Sequence, residues 1–167
     1  MNNSKAFSNI QGDVFFPNEE EFENGIKASR LSERKRIILP IHRKQESSVQ
    51  RMLNFMQPGT YIQPHCHSQS GAIESLIVLK GSLGFLIFDK NGEIEQKYKL
   101  TNEFPSCMID IEPGIYHSFV VTSPDTVIFE AKKGPYRQMN DKDFAQWAPA
   151  EFTDQANELE KEWQQQF

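Results

Sequence analysis

From residue 37 to residue 131, the sequence is a succession of short apolar or alternating segments separated by turn residues. Each segment occupies three to eight positions. The segments cover approximately residues 37–39, 49–56, 61–67, 76–79, 83–88, 93–100, 108–111, 117–121 and 127–131. No segment of helical periodicity interrupts them, which disfavours a parallel sheet with crossover helices. About eight to ten short strands of this kind predict an all-β sandwich or barrel.

Length and composition predict one domain with short additions at both ends. The chain has 167 residues and thirteen phenylalanines, and domains most often contain about 100–150 residues. We divide it into an N-terminal extension (1–27), a β-barrel domain (28–136) and a C-terminal helical tail (137–167). Within the tail, residues 141–147 are expected to form a helical turn and residues 154–167 a helix.

Charge and apolar runs exclude several classes of protein. The net charge is −5 without a long basic block, so a nucleic-acid footprint is absent, and we expect the basic residues of segment 30–36 on the solvated surface. No stretch approaches the about 20 apolar residues of a membrane span, and the N-terminus lacks the apolar core of a signal peptide. Two cysteines do not make a disulfide framework. We therefore expect a cytoplasmic protein without a membrane or nucleic-acid partner.

The most informative motif is His65-Cys66-His67, which follows a Pro-Gly turn on a segment that reads as extended. Side chains alternate along a strand, so both imidazoles point to one face and the Cys66 thiol packs on the other. The chain contains four histidines in all, which makes this pair unlike a random placement. Two adjacent imidazoles are the arrangement that a first-row metal ion requires.

Further candidate ligands lie outside this pair. Glu74 opens the next apolar segment, and His117 follows the turn Pro113-Gly114. Three imidazoles and a carboxylate suit one divalent ion such as Zn, Fe, Ni or Mn. No Cys-x-x-Cys pair is present in the sequence, which makes structural zinc the weaker interpretation. A site with an open position for water or substrate is favoured instead.

The spacing of these residues resembles the first cupin motif: a glycine, five residues, His-x-His, a gap, a glutamate, six residues and a glycine. Gly59, His65, Glu74 and Gly81 stand at matching positions, except that six residues separate His67 from Glu74 where the family has three or four. The second motif is looser, and its expected asparagine is Val121 here. The resemblance implies a cupin double-stranded β-helix, a jelly-roll barrel, with His65, His67, Glu74 and His117 as metal ligands.

A subgroup resemblance is closer still. The chain is similar to the WbuC-type cupin-fold metalloproteins found with bacterial surface-polysaccharide genes. The segments that carry this likeness span about residues 28 to 151 and are Ala28-Ser29-Arg30, Arg34-Lys35-Arg36, Gln50-Arg51-Met52, Tyr61 to His67, Gly134-Pro135-Tyr136 and Trp147-Ala148-Pro149-Ala150-Glu151. The subgroup implies a sugar or nucleotide-sugar substrate.

Several residues are candidates for binding a small polar or anionic molecule at the barrel mouth. Tyr61 and Gln63 share the parity of the paired histidines, although each could equally be ordinary core or lining. Arg51 interrupts an apolar strand and would need an anionic partner if interior, or would point to water if not. Tyr116 and Tyr136 are further candidates at the rim. Glu130 is the last candidate. It could be a general base, a hydrogen-bond acceptor for a ligand histidine, or a surface residue.

Two functional classes are compatible with these observations. One is a metal-dependent enzyme with isomerase-like, epimerase-like or dioxygenase-like chemistry. The other is a non-catalytic metal- or ligand-binding module that supports or regulates a polysaccharide pathway. The fold does not decide between them, because jelly rolls carry many activities. For either class we expect a homodimer.

Overall fold

The computed structural model describes residues 5–137 and 142–167. That part of the chain contains two helices, and neither is long and apolar enough to cross a membrane. The helices are α1 (Glu19–Leu31) and α2 (Asp154–Gln164). The strands are β1 (Arg36–Pro40), β2 (Val49–Met56), β3 (His65–Cys66), β4 (Glu74–Lys80), β5 (Ser82–Phe88), β6 (Ile94–Thr101), β7 (Met108–Ile111), β8 (Tyr116–Val121), β9 (Thr126–Lys133) and β10 (Asp143–Phe144).

The strands form two five-stranded antiparallel sheets that pack face to face. Sheet I has the order β1-β2-β9-β4-β7, and sheet II has the order β10-β3-β8-β5-β6. The core between them takes apolar side chains from both sheets, among them Met56, Leu76, Leu83, Phe85 and Ile128. This arrangement confirms the predicted all-β jelly-roll architecture.

Helix α1 covers the outer face of sheet I. Its start is fixed by a capping box, in which the backbone N–H of Glu21 donates to Asn18 Oδ1 at 2.9 Å and that of Asn18 donates to Glu21 Oε2 at 3.1 Å. Gly25 allows close packing, since a Cβ there would lie 2.5 Å from the Phe55 ring. The division between residues 27 and 28 expected from the sequence falls inside this helix.

Helix α2 covers the outer face of sheet II. Trp163 on this helix stacks on Tyr61 with ring centroids 5.9 Å apart, and it also contacts Phe88 at 5.3 Å. Ala156 of the same helix faces the barrel and is completely buried. The C-terminal helix is therefore packed on the barrel rather than projecting from it.

The expectation of a helical turn over residues 141–147 is wrong for its described part, 142–147, and position 141 lies outside the described residues. Residues 143–144 form β10, which pairs with β3 and places Phe144 opposite His65. The backbone N–H of Ala145 donates to Pro64 O at 2.9 Å. Pairing with the exposed edge of β3 thus takes the place of local helical hydrogen bonds.

Candidate metal centre

Three of the four histidines meet on the inner side of sheet II. His65 begins β3 and is paired directly with His117 on β8. His67 follows β3 two positions after His65, so the strand pleat returns its ring to the same side. All three side chains are buried, and the rings of His65 and His117 lie 4.6 Å apart between centroids.

Glu74 approaches these rings from the opposite sheet, where it is the first residue of β4. Its Oε2 lies 2.8 Å from His67 Nε2 and 3.3 Å from His117 Nε2. The six-residue gap after His67 therefore does not remove Glu74 from the group, because strands fix both ends of the intervening loop. We call His65, His67, Glu74 and His117 the ligand cluster; one potential ligand atom from each lies within 4.8 Å of all the others.

Backbone carbonyls set the orientation of two imidazoles. His65 Nδ1 lies 2.9 Å from Gln63 O, and His117 Nδ1 lies 2.9 Å from Ile115 O. A ring that donates from Nδ1 to a carbonyl carries its lone pair on Nε2, the form that binds a metal. His65 Nε2 is buried and has no hydrogen-bond partner within the described residues.

Burial and neighbouring charge shape the protonation of the cluster. Burial, Lys142 and His117 together hold the pKa of His65 well below its ordinary value, which keeps the ring neutral. Burial would raise the pKa of Glu74, but hydrogen bonds from His117 and His67 outweigh it and hold this pKa well below the usual range. A neutral imidazole beside an ionised carboxylate is the state that metal ligation requires.

Three members of the ligand cluster, His65, Glu74 and His117, line a cavity of about 490 Å³ between the two sheets. Three of the sequence candidates line it, namely Gln63, Glu130 and Tyr136. Glu130 is not on the surface: its side chain is 13% exposed, and its Oε2 accepts a hydrogen bond from Asn54 Nδ2 at 2.9 Å. Burial and the charge of Glu74 raise the pKa of Glu130. Tyr136 is 44% exposed and lies at the cavity mouth.

Arg51 does not line the cavity, which agrees with the alternative of an arginine that points to water and not with that of an interior anion-binding arginine. It shares a face of β2 with Leu53 and Phe55, which pack beneath α1, and its own side chain is exposed. The alternate residues of β2, including Met52 and Asn54, line the cavity instead. The strand is buried on both faces, and Arg51 belongs to the outer one.

Tyr61 and Tyr116 also lie outside the cavity lining. Residues 61–64 pair with no neighbouring strand, so parity does not hold there, and the Tyr61 hydroxyl donates to Pro149 O at 2.8 Å. Burial raises the pKa of Tyr61. Tyr116 precedes His117 on β8 and therefore points to the other face, where it packs near Trp147. Cys66 is buried beside it as a packed thiol.

The sequence interpretation missed a pair of arginines at the far end of the cavity. Arg34 and Arg36 were expected on the solvated surface, yet Arg36 is 9% exposed and both line the cavity. They share one carboxylate: Glu151 Oε1 lies 2.7 Å from Arg36 Nη2 and 3.1 Å from Arg34 Nε. The sequence did contain a signal that Arg36 is buried, because Arg36 opens an apolar strand and lies on the same face of it as Ile38.

Comparisons with known proteins support the fold. A family model described as a domain of unknown function (DUF6016) matches residues 18–100, and no curated protein matches the sequence. A solved variant of Bacillus subtilis oxalate decarboxylase is similar, with a TM-score of 0.50, 13% identity and coverage of 66% of this chain and 28% of that chain. KdgF from Halomonas sp. is similar with a TM-score of 0.46, 16% identity and coverage of 62% and 82%.

The match spans about a quarter of the decarboxylase chain, and at this identity the likeness concerns the fold alone. The two sheets, their order and the cavity between them agree with that likeness. This chain therefore has the jelly-roll fold of the cupins.

Proposed function

We propose that this protein is a metal-dependent cupin enzyme that holds one divalent ion in the ligand cluster and acts on a small polar or anionic molecule in the cavity. The observation that carries this proposal is His65 Nε2, buried without a partner in the described chain beside two further imidazoles and a carboxylate. Leaving a buried polar atom unsatisfied costs about 1–3 kcal/mol. Metal ligation removes this cost.

The donor set fits a divalent ion. Two ligand atoms bound at about 2.1 Å from one ion lie at most about 4.2 Å apart, so the cluster, whose atoms lie within 4.8 Å of one another, has to contract by at most about 0.6 Å around an ion. Imidazole and carboxylate suit Zn, Fe, Ni and Mn alike, and the affinity order does not choose among them. With three protein ligands on a tetrahedral ion, or four on an octahedral ion, a position stays open toward the cavity for substrate.

A bound divalent ion would supply Lewis-acid polarisation of a substrate oxygen, or oxygen activation if it is Fe(II). The chain itself supplies the positioning. Asn54 and Lys132 hold the Glu130 carboxyl, with Lys132 Nζ 3.7 Å from Glu130 Oε1. A carboxyl fixed in this way can accept a hydrogen bond from a substrate hydroxyl next to the ligand cluster. These contacts favour a polyol or sugar as the substrate body.

The WbuC-type resemblance extends the proposal to a pathway. It supports a sugar or nucleotide-sugar substrate in surface-polysaccharide biosynthesis, with isomerase-like, epimerase-like or oxygenase-like chemistry. Two segments that carry the resemblance, 34–36 and 147–151, are in contact through Arg34, Arg36 and Glu151, which supports a shared role for them. The expected homodimer and cytoplasmic location stay predictions.

Metal binding is tested with histidine variants purified without chelator or nickel affinity resin. We expect about one divalent ion per chain in the native protein and none in His65→Ala or His117→Ala. His42→Ala is the matched control: His42 is also buried, but its Nδ1 lies 2.8 Å from Arg51 O, away from the ligand cluster. Full retention of metal in both ligand variants would refute the assignment.

Catalysis is tested by incubating the metal-loaded protein with sugars and nucleotide-sugars, with and without dioxygen, and analysing the mixture by mass spectrometry and NMR. Formation of a product by the native protein and its loss in His65→Ala support an enzyme. A sugar that binds and is recovered unchanged under both conditions would instead indicate a non-catalytic binding module.

A further inference from the structure

We infer that the ligand of this cavity is anionic, and that Arg34 holds its negative group at the end remote from the ligand cluster. The inference rests on the proposed function, because the other end of the same molecule would face the metal. It assigns to Arg34 the anion-binding role that was one of the two alternatives for Arg51.

The remote end of the cavity carries an excess of positive charge. Arg34 and Arg36 line it against the one carboxylate of Glu151, and Lys5, whose backbone bonds to Ile38 of β1, also lines the cavity. The whole chain, by contrast, has a net charge of −5. A cationic pocket in an acidic protein attracts anions selectively, since the low-dielectric walls focus the local field.

Arg36 and Glu151 act as the support of this site. Arg36 donates from Nη1 to Tyr61 O at 2.9 Å and from Nη2 to Glu151 at 2.7 Å. Its guanidinium is therefore committed to protein acceptors. Glu151 in turn accepts from Arg34 Nε at 3.1 and 3.3 Å, which fixes the plane of the second guanidinium.

Arg34 is left with donors for a ligand. Across residues 5–137 and 142–167, its two terminal amino groups have no hydrogen-bond partner, and its side chain is 21% exposed. The planar fork of an arginine matches the oxygens of a carboxylate or phosphate, and hydrogen bonds between charged groups are about twice as strong as neutral ones.

Two guanidinium groups contact the single carboxylate of Glu151. Burial first, and then the neighbouring Arg34, lower the pKa of Arg36 to about 10. The positive charge of Arg34 thus acts against that of Arg36 although Glu151 lies beside both. An anion on Arg34 would relieve this repulsion, which agrees with the geometric argument.

The size of the cavity sets the kind of anion. Strand β1 begins at Arg36 and strand β4 begins at Glu74, and β2 and β9 lie between them in sheet I. At about 4.8 Å between neighbouring strands, β1 and β4 are about 14 Å apart across the sheet. The cavity of about 490 Å³ holds more than a bare inorganic anion. We therefore infer a sugar-sized body that bears a phosphate or carboxylate.

The test measures binding of glucose 1-phosphate, glucuronate and glucose to the metal-loaded native protein and to Arg34→Gln by calorimetry. We expect one or both anionic probes to bind the native protein more tightly than glucose, and Arg34→Gln to lose at least about tenfold of that affinity. The probe that responds shows whether the group is a phosphate or a carboxylate. Arg34→Lys keeps the positive charge but lacks the planar fork of the guanidinium, so its affinity for the anionic probes should lie between those of the native protein and Arg34→Gln.

Arg51→Gln is the matched control, since it removes an exposed arginine on the outer face of β2 and should change neither probe affinity nor metal content. Metal content and thermal unfolding are measured on every sample. The inference is overturned if native protein and Arg34→Gln bind the anionic probes with equal affinity, or if the native protein does not prefer them over glucose. If the protein still holds its metal in that case, the proposed function stands. A native protein that holds no metal overturns the proposed function itself.

Discussion

Replacing Glu151 by glutamine tests whether the arginine pair is held as the structure indicates. The substitution preserves the side-chain shape but removes the negative charge that faces Arg36 at 2.7 Å and Arg34 at 3.1 Å. Arg36 would then remain buried between protein carbonyls without an ionic partner. We expect a destabilised protein whose metal content is unchanged.

The size of the effect follows from the exposure of the pair. Breaking a fully buried ion pair costs about 3–5 kcal/mol, whereas exposed pairs contribute about 0–1 kcal/mol. The Arg36 side chain is 11% exposed and that of Glu151 is 25% exposed, so solvent screens one side of the interaction. We expect a loss of about 2–3 kcal/mol, which lowers the melting temperature by about 5–10 °C in a chain of this length.

Urea unfolding at pH 7 measures this loss, with Glu23→Gln as the control. Glu23 pairs with Lys27 at 3.7 Å, and the two side chains are 69% and 67% exposed. Its substitution should cost less than about 0.5 kcal/mol. A loss in Glu151→Gln no larger than in this control would contradict the assignment of a buried, structurally required pair.

The same variant has a defined pH dependence. Burial opposes ionisation of Glu151, but Arg36 and Arg34 outweigh it and lower the pKa of Glu151 below its ordinary 4.5. The folded state then binds fewer protons than the unfolded state near this pH, so the contribution is complete above about 4.5 and disappears as the pH falls through the folded value. The stability difference between native protein and Glu151→Gln should therefore shrink below about pH 4.5.

Three further predictions concern packing and the ligand cluster. A glycine-to-alanine change stabilises an ordinary helix by about 1 kcal/mol, but in Gly25→Ala the new Cβ would lie 2.5 Å from the Phe55 ring. Urea unfolding should therefore show that the free energy of unfolding falls by about 1–3 kcal/mol. A more stable variant would disprove this contact. Glu74→Gln should weaken metal binding at least about tenfold in a chelator competition, and an unchanged affinity would remove Glu74 from the ligands. Tyr61→Phe should cost about 1 kcal/mol for the lost bond to Pro149 O and leave metal content intact, whereas loss of metal would place Tyr61 in the site.

The convergence of the histidines is the part of the site that sequence could predict best. The strand pleat fixes the relation between His65 and His67, so two positions along the chain translate directly into one shared face. His117 required the topology as well, because only the pairing of β3 with β8 brings it opposite His65. Glu74 comes from the other sheet, and its place followed from a family resemblance rather than from a local rule.

Arg51 shows where local patterning fails. Alternation divides β2 into two sets of side chains, but both sets are largely buried because the core covers one face and α1 covers the other. Sequence alone therefore does not say which set points inward. Tyr61 shows a different limit: residues 61–64 belong to no strand, so alternation is not enforced there, and Gln63 lines the cavity whereas Tyr61 does not.

At the remote end of the cavity, only Arg36 carried a local sequence signal, and the contacts that assemble this end could not be predicted from local sequence. Arg34 and Glu151 are 117 positions apart, and their contact depends on how the segment after β10 returns to the barrel. The two-residue strand β10 was missed because its pairing comes from the free edge of β3 rather than from its own composition. Long-range partners of this kind become visible only in the folded chain.

The most direct test of the metal centre is anomalous X-ray scattering from crystals of the protein purified without chelator. We expect one anomalous peak per chain, within about 2.0–2.2 Å of His65 Nε2 and His117 Nε2, with His67 and Glu74 completing the set. The absorption edge of the same crystal identifies the element. A peak bound elsewhere, or side chains of the ligand cluster that surround no ion in a metal-supplemented crystal, would contradict the account.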